Sequence, residues 1–572
     1  MRRDTDLFFI YLQKKSTDMK KLYLLIMGLI PFLLLYSCGE TTEKTDIELL
    51  TFDLNIDNLE RHIETLASDE FMGRMPMTVG EDLTLAYLEN ELSQMGIQPG
   101  NHGSFFQEVG LVTVTSKTDE NLVITGGDEN IILNNGSDFV IYSQLLQDEI
   151  VVEDAELVFC GFGVVAPEYD WNDYEGIDME GKIAVVLVND PGFYMDEDSD
   201  LFTGNAMTYY GRWTYKYEEA ARQGAAGVII VHNDAPAGYG WNVVETSWSG
   251  AKMQLDLPEG AVERSPLQGW ITYPVAQQLM NAAGLDKEEM LQAALSPNFE
   301  PVPLGLKTSA KMNNTFEGGV SQNVIAIIEG SERPEEYIVY STHWDHLGVR
   351  APIDGDSIYN GAVDNATGVA ILLEIARIVQ AMEDKPKRSL VFLWVTAEEQ
   401  GLLGSSYYAN NPIYPTNQTV ANLNVDGIFP FGPTNDLIVV GYNQNELVDW
   451  AKDIAETQGR YVVPDQEPEK GFFYRSDQFS FAKVGVPAFY AGGGTDLVDG
   501  GREVGEPLRA EYLRKYYHQP GDVYNPETWD LRAIAQDGEF FLRFGIDIAN
   551  SDRWPEWNEI SEFRAIRAAD RN

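Results

Sequence analysis

Residues 337–348 read Tyr337-Ile338-Val339-Tyr340-Ser341-Thr342-His343-Trp344-Asp345-His346-Leu347-Gly348. A short apolar run ends abruptly in a polar segment carrying His and Asp, as expected of a buried strand that delivers side chains past its carboxyl end. The pattern recurs. Leu390-Val391-Phe392-Leu393-Trp394-Val395 runs into Thr396-Ala397-Glu398-Glu399-Gln400-Gly401, and Asn422-Leu423-Asn424-Val425 runs into Asp426-Gly427. Between the first two, Asn360-Gly361-Ala362-Val363-Asp364-Asn365-Ala366-Thr367-Gly368 opens a segment whose apolar residues Val369, Leu372, Leu373, Ala376 and Val379 recur at helical spacing. From about residue 318 onward this alternation predicts an α/β fold, a mixed β-sheet flanked by helices on both faces. The expected strands are Ser321–Ile328, Tyr337–Ser341, Ser389–Val395, Ala421–Val425, Asp436–Val440 and Val486–Tyr490. In open α/β sheets the rim outside the strand carboxyl ends is where ligands bind.

The residue types gathered at that rim point to metal chemistry. One more segment, Tyr517-His518-Gln519-Pro520-Gly521-Asp522, follows a charged helix. Of six histidines in the chain, three (His343, His346 and His518) fall in these motifs. Zinc takes imidazole nitrogen and carboxylate oxygen, and a catalytic site keeps room for water. Two zinc ions ~3.5–4 Å apart need a bridging ligand, which a carboxylate supplies with its two oxygens. His343 and Asp426 are read as ligands of one ion, Glu399 and His518 of the other, and Asp364 as the bridge. Glu398 is the expected general base, taking a proton from water and returning it to the leaving amine. Asp345 is expected to accept the remaining ring N–H of His343 and so set its tautomer. His346 is read as a rim residue outside the ligand set. Asp477 and Asp522 are open between supporting the site and shaping turns, and His62, His102 and His232 are read as ordinary structural residues.

Taken together, His-Trp-Asp-His-Leu-Gly, Gly-Ala-Val-Asp-Asn-Ala-Thr-Gly, Ala-Glu-Glu-Gln-Gly-Leu-Leu-Gly-Ser, Asn-Val-Asp-Gly and Tyr-His-Gln-Pro-Gly-Asp resemble the motifs of the two-zinc aminopeptidases of the bacterial leucyl aminopeptidase type. That family also contains glutamate carboxypeptidases and the transferrin receptor. The resemblance spans about 50–143 and 318–550, and implies a cis peptide between Asp364 and Asn365. It implies two zinc ions per chain, with cobalt or manganese as acceptable substitutes, and hydrolysis of N-terminal residues from peptides. Tyr474-Arg475-Ser476-Asp477-Gln478 resembles the family's Arg-Ser-Asp-His stretch beside the substrate pocket, with Gln478 where His is common. A carboxypeptidase, a dipeptidase or a glutaminyl cyclase on the same site stays open, with Arg475 or Arg502 available as a clamp for a terminal carboxylate. So does a binding protein of the same fold that has lost its chemistry.

Working outward, residues 144–305 are rich in β-type runs and Gly: Glu156-Leu157-Val158-Phe159-Cys160-Gly161, Gly181-Lys182-Ile183-Ala184-Val185-Val186-Leu187, then Gly224-Ala225-Ala226-Gly227-Val228-Ile229-Ile230-Val231. This succession resembles the protease-associated domain, implying an inserted lid or substrate-selection module. The expected organisation is a leader and tether over 1–45, a discontinuous catalytic domain over 46–143 and 306–550, the insert over 144–305, and a solvated charged tail over 551–572. Forty basic against ninety acidic residues give a formal charge of −50. Such a surface repels nucleic acid and anionic membrane, which excludes nucleic-acid partners, and peptide substrates are what the family resemblance implies.

Met19-Lys20-Lys21, the apolar run Leu22 to Leu35 and Ser37-Cys38-Gly39 have the form of an export signal. The cysteine directly after it resembles a bacterial lipoprotein processing site. An exported envelope lipoprotein, touching membrane only through a lipid on Cys38, is the expectation, leaving Cys160 unpaired and buried. Replacing Cys38 by Ser is expected to release the protein from the membrane fraction; equal retention of the Ser form would contradict the anchor.

Overall fold

The computed structural model describes residues 54–195, 199, 201–258 and 264–571. The leader, Cys38 and the tether lie outside these residues. Among the described residues no helix is long and apolar enough to cross a membrane.

Two helices, α1 (Ile56–Leu66) and α2 (Val79–Gln94), precede the strands β1 (Phe106–Thr118), β2 (Asn121–Thr125), β3 (Ile131–Asn134), β4 (Phe139–Tyr142) and β5 (Glu149–Phe159). The inserted region continues with β6 (Ile183–Leu187), α3 (Trp213–Arg222), β7 (Gly227–Val231), β8 (Ala251–Leu255), β9 (Leu267–Ile271), α4 (Tyr273–Ala282) and α5 (Lys287–Ala294). The remainder comprises β10 (Val302–Ile328), β11 (Arg333–His343), α6 (Thr367–Ala381), β12 (Arg388–Val395), α7 (Leu403–Asn410), β13 (Thr419–Asn424), β14 (Asp436–Val440), α8 (Leu447–Thr457), β15 (Tyr461–Pro464), α9 (Gln478–Lys483), β16 (Ala488–Gly493), α10 (Gly501–Lys515), α11 (Arg532–Asn550) and α12 (Arg564–Asp570).

The strands β16, β13, β11 and β12 lie side by side and parallel. Antiparallel β14 extends the β16 edge, and antiparallel β10 extends the β12 edge. Every residue of β12 is buried, as a strand covered on both faces requires. Alternation assigns the two faces. Ile338 and Tyr340 enter the core shared with α1, α6 and α11, whereas Val339 enters the opposite one. The mixed sheet flanked by helices on both faces is thus the fold. Parallel direction puts the carboxyl ends of β11, β12 and β13 on one rim.

In the insert β5, β6, β7 and β9 run parallel in that order, with β4 antiparallel on the far side of β9. All four residues of β4 are buried, so this sheet draws in residues that precede the expected boundary at 144. The link between the two bodies is β10. The strand expected over Ser321–Ile328 is the last part of one 27-residue strand. Its first half pairs with β5 and its second with β1 and β12. Charged and polar residues alternating along Lys307–Asn314 disguise this continuity in the sequence.

The segment after 551 is packed, in contrast to the solvated tail expected from its charges. Trp557 is 2% exposed and donates to the carbonyl of Gly485 at 2.8 Å, and Phe563 is 1% exposed. Arg567 binds the carbonyls of Thr416 and Thr419. Glu562 accepts from the amide of Tyr209 in the insert and the hydroxyl of Tyr474 in the catalytic domain. Trp557→Ala is expected to cost about 3–5 kcal/mol, the usual range for deleting a buried aromatic, read as a lowered denaturation midpoint; an unchanged midpoint would show the packing to be dispensable.

Candidate metal centre

His343 is the last residue of β11, Glu398 and Glu399 follow β12, and Asp426 follows β13, so three neighbouring strands present donors on one rim. Asp364 lies in the turn Ala362–Ala366 that leads into α6, and the peptide bond between Asp364 and Asn365 is cis. Gly368 lets this helix start close to the strand ends: a Cβ there would lie 2.4 Å from Asn365 Oδ1 and 2.6 Å from the carbonyl of Val425. His518 arrives on the loop after α10 with φ +56, and Ala397, just ahead of Glu398, has φ +53. Both lie in the left-handed region that non-glycine residues seldom occupy, a feature concentrated at functional sites.

The five predicted metal-binding side chains converge. Nε2 of His343 is 3.2 Å from Asp364 Oδ1 and 3.2 Å from Asp426 Oδ1. Nε2 of His518 is 3.2 Å from Asp364 Oδ2 and 3.2 Å from Glu399 Oε2. Each oxygen of Asp364 therefore faces a separate His/carboxylate pair, and imidazole nitrogen with carboxylate oxygen is the donor set zinc accepts. The residues fit a divalent metal, and His343, Asp364 and Asp426 form one group able to hold an ion. Glu398 Oε2 stands 4.0 Å from His343 Nε2, beside the cluster rather than within it.

Two expectations change. The Asp345 carboxylate does not hold His343: Nδ1 of that ring is 3.1 Å from the Asp345 main-chain carbonyl and 3.9 Å from its carboxylate. The carboxylate instead accepts the amide of Glu398 at 3.0 Å and so fixes the turn carrying the acidic pair. His346 is no rim residue. It is fully buried, with Nδ1 in ion-pair contact 2.6 Å from Glu399 Oε1, the oxygen that does not face His518. It also completes, with Asp364 and Glu399, a second group able to hold an ion.

Several supporting residues carry no motif of their own. Arg74, fully buried, donates to the carbonyls of Leu66, Trp344, Asn360 and Gly361, tying the His343 and Asp364 segments together. Ser476 donates to Asp426 Oδ2 at 2.5 Å. Asp522 accepts the amides of Val363 and Asp364 at 3.0 and 3.1 Å, which places it among the supports of the site. Asp477 is buried with neither oxygen hydrogen-bonded. Gln478 is internal, joined to Asn424 at 2.9 Å and to the carbonyl of Phe473 at 2.7 Å, so it faces no substrate pocket. His62 and His232 bond Tyr87 and the carbonyl of Tyr239. Burial pushes the unpaired Cys160 thiol well above its ordinary value.

Residues 323–539 match peptidase family M28, and residues 152–265 match the PA domain. An M28-type peptidase region therefore follows a PA domain in this chain. Over 162 residues it is 34% identical to aminopeptidase NAALADL1 of Mus musculus, covering 26% of this chain and 20% of that protein. It is 35% identical over 218 residues to the probable glutamate carboxypeptidase LAMP1 of Arabidopsis thaliana, covering 36% and 28%. The matches thus span less than a third of either relative. Among solved structures, an aminopeptidase from Aneurinibacillus sp. strain AM-1 aligns over 88% of this chain and 95% of its own at 19% identity, with a TM-score of 0.44.

Without a cation the cluster must hold protons. Burial pushes Asp345 up to about 8 and Asp477 up to about 7, and Glu398 well above the carboxylate range. Burial works to lower His518, but the charges of Glu399 and Asp364 outweigh it and leave it at about 9. Each of these groups binds its proton more tightly folded than unfolded. Their stabilisation is therefore complete below the unfolded values, ~4 for the carboxyls and ~6.5 for His, and is lost as pH rises through about 7–9. Asp364 and Glu399 are held below the usual range, so their contribution is lost only at acid pH. Chelator-treated protein is expected to lose thermal stability between pH 6.5 and 9 while zinc-loaded protein holds; a chelated form that gained stability over this window would contradict the assignment.

Proposed function

We propose that this protein is an exported, two-zinc aminopeptidase, anchored through Cys38, that removes N-terminal residues from peptides. The observation that carries the reading is the division of Asp364 between two His/carboxylate pairs, each at 3.2 Å. His343 and Asp426 would hold one zinc ion, His518 and Glu399 the other, with Asp364 shared. Bound zinc supplies Lewis acidity at the scissile carbonyl and lowers the pKa of water. The M28 match over residues 323–539 and the name of the mouse relative, an aminopeptidase, support the choice of reaction.

The chain's own residues do the remaining work. Glu398 stands beside the ligand set, its amide held by Asp345, so its carboxylate is free to accept the water's proton. It then delivers that proton to the departing amine, one group serving as base and then as acid. Ser476 holds the outward oxygen of Asp426, leaving the inward one for metal, and His346 lies in contact with the second oxygen of Glu399. Asp522 and Arg74 fix the main chain on either side of Asp364 and so set the direction of its carboxylate.

Aminoacyl-anilides should be hydrolysed by the zinc-loaded protein and spared after chelation, while peptides blocked at the amino end should resist. Glu398→Gln is expected to lower kcat by at least about 10²-fold, the lower range for loss of a general base, with zinc content retained. Cleavage of amino-blocked substrates alone, or activity surviving both chelation and Glu398→Gln, would overturn the reading.

A further inference from the structure

The segment 468–478 carries Ser476, which holds Asp426, yet little regular structure holds the segment itself. It consists of two short turns, Pro468–Lys470 and Phe472–Tyr474, before α9 begins at Gln478. Its position is set from outside. The Met207 amide of the insert donates to the Pro468 carbonyl at 3.1 Å. Gly471, at φ +62, is pressed so closely on the insert that a Cβ there would lie 2.5 Å from Met207 Sδ. At Tyr474 a third contact comes from the final segment. One oxygen of Glu562, Oε1, accepts both the Tyr474 hydroxyl at 3.1 Å and the Tyr209 amide of the insert at 3.0 Å. Gln444 also donates to the Tyr474 hydroxyl, at 3.4 Å, and accepts from Ser561 at 3.0 Å. A single acceptor atom therefore fixes a donor of the insert and a donor of the catalytic domain at one separation.

From this turn a chain of hydrogen bonds between buried side chains runs to the metal centre. Gln478, fully buried, donates to the carbonyl of Phe473, the residue before Tyr474, at 2.7 Å and accepts from Asn424 at 2.9 Å. Asn424 ends β13. It donates to Ser476 at 2.8 Å and accepts from Ser341 of β11 at 2.7 Å, which ties the strand ending in His343 to the strand leading to Asp426. Ser476, having accepted from Asn424, turns its own proton to Asp426 Oδ2 at 2.5 Å. Keeping an acid at the far end of this chain has a cost, since burial and the charge of Glu168 both push the Glu562 carboxyl up. The next residue, Phe563, shows that the seam accepts an apolar side chain, its ring 6.4 Å from Tyr209 and 6.3 Å from Phe479. What an acid supplies and an apolar group lacks is the shared acceptor.

We propose that Glu562 is a positioning residue for the metal centre: it fixes the Tyr474 turn against the insert and, through Gln478, Asn424 and Ser476, aims the Asp426 carboxylate. A carboxylate free to turn offers metal either oxygen. With Oδ2 engaged, Asp426 offers Oδ1, the oxygen 3.2 Å from His343 Nε2. The proposal rests on the two-zinc reading and adds to it control of one ion's affinity from the seam of insert, catalytic domain and final segment.

The test is a zinc titration of the full-length protein, stripped by chelator and reloaded against a competing chromophoric chelator. Wild type is expected to take up two ions. Glu562→Ala should weaken one of them about tenfold, the lower range for loss of an outer partner of a metal ligand, and leave the other unchanged. Glu562→Gln keeps an oxygen acceptor and should restore the affinity, while Tyr474→Phe should weaken the same ion. In Asp426→Ala, which removes that ion, adding Glu562→Ala should leave the remaining affinity as it was, as for two groups acting along one path. Leu59→Ala, in the core of α1 and outside this chain of bonds, should lower the denaturation midpoint and keep both affinities. Affinities unmoved by Glu562→Ala and Tyr474→Phe, no recovery in Glu562→Gln, or an equal loss in Leu59→Ala would overturn the positioning role and leave the two-zinc reading standing. Should Glu562→Ala fail to fold, Tyr474→Phe, which removes one hydroxyl, decides the question alone. A wild type that takes up fewer than two ions would remove the two-zinc reading itself, and the positioning role with it.

Discussion

A carboxylate has two oxygens, and at Asp364 each is committed to a different imidazole at 3.2 Å. That single side chain sets the spacing of the centre, because His343 and Asp426 must reach one oxygen while His518 and Glu399 reach the other. The four groups come from the ends of three strands and from a distant loop, so nothing local holds them together. What holds them is the parallel direction of β11, β12 and β13, together with the Arg74 and Asp522 bonds to the main chain around Asp364. Buried acids packed this closely repel one another, and either protons or cations must neutralise them. The demand for neutralisation links the fold to the chemistry.

The donor residues were legible for a physical reason. His343, Glu398, Glu399 and Asp426 each stand where an apolar run stops, and a buried strand that ends in polar groups must be ending at something. Asp364 was marked by the change from a Gly-rich turn to strong helical spacing. Arg74 and Ser476 had no such mark, since one contacts carbonyls far away in sequence and the other a single oxygen. The role of Asp345 was misread because sequence names side chains, whereas His343 is met by a main-chain carbonyl that only the backbone path reveals. His346 was misread for a related reason: its burial comes from Arg74 and the Gly361 turn, both distant in sequence, packing against it. The charged final segment hid two aromatic anchors, Trp557 and Phe563, whose burial outweighs its surface charges.

The long strand β10 changes what the insert can be. A module joined by two flexible links would swing relative to the catalytic domain, whereas here one strand belongs to both sheets and β1 pairs along its junction. Bending between the domains would have to break that ladder, a cost shared over many backbone bonds. The bonds from Tyr209 and Tyr474 to Glu562 add a third element that grips both sides.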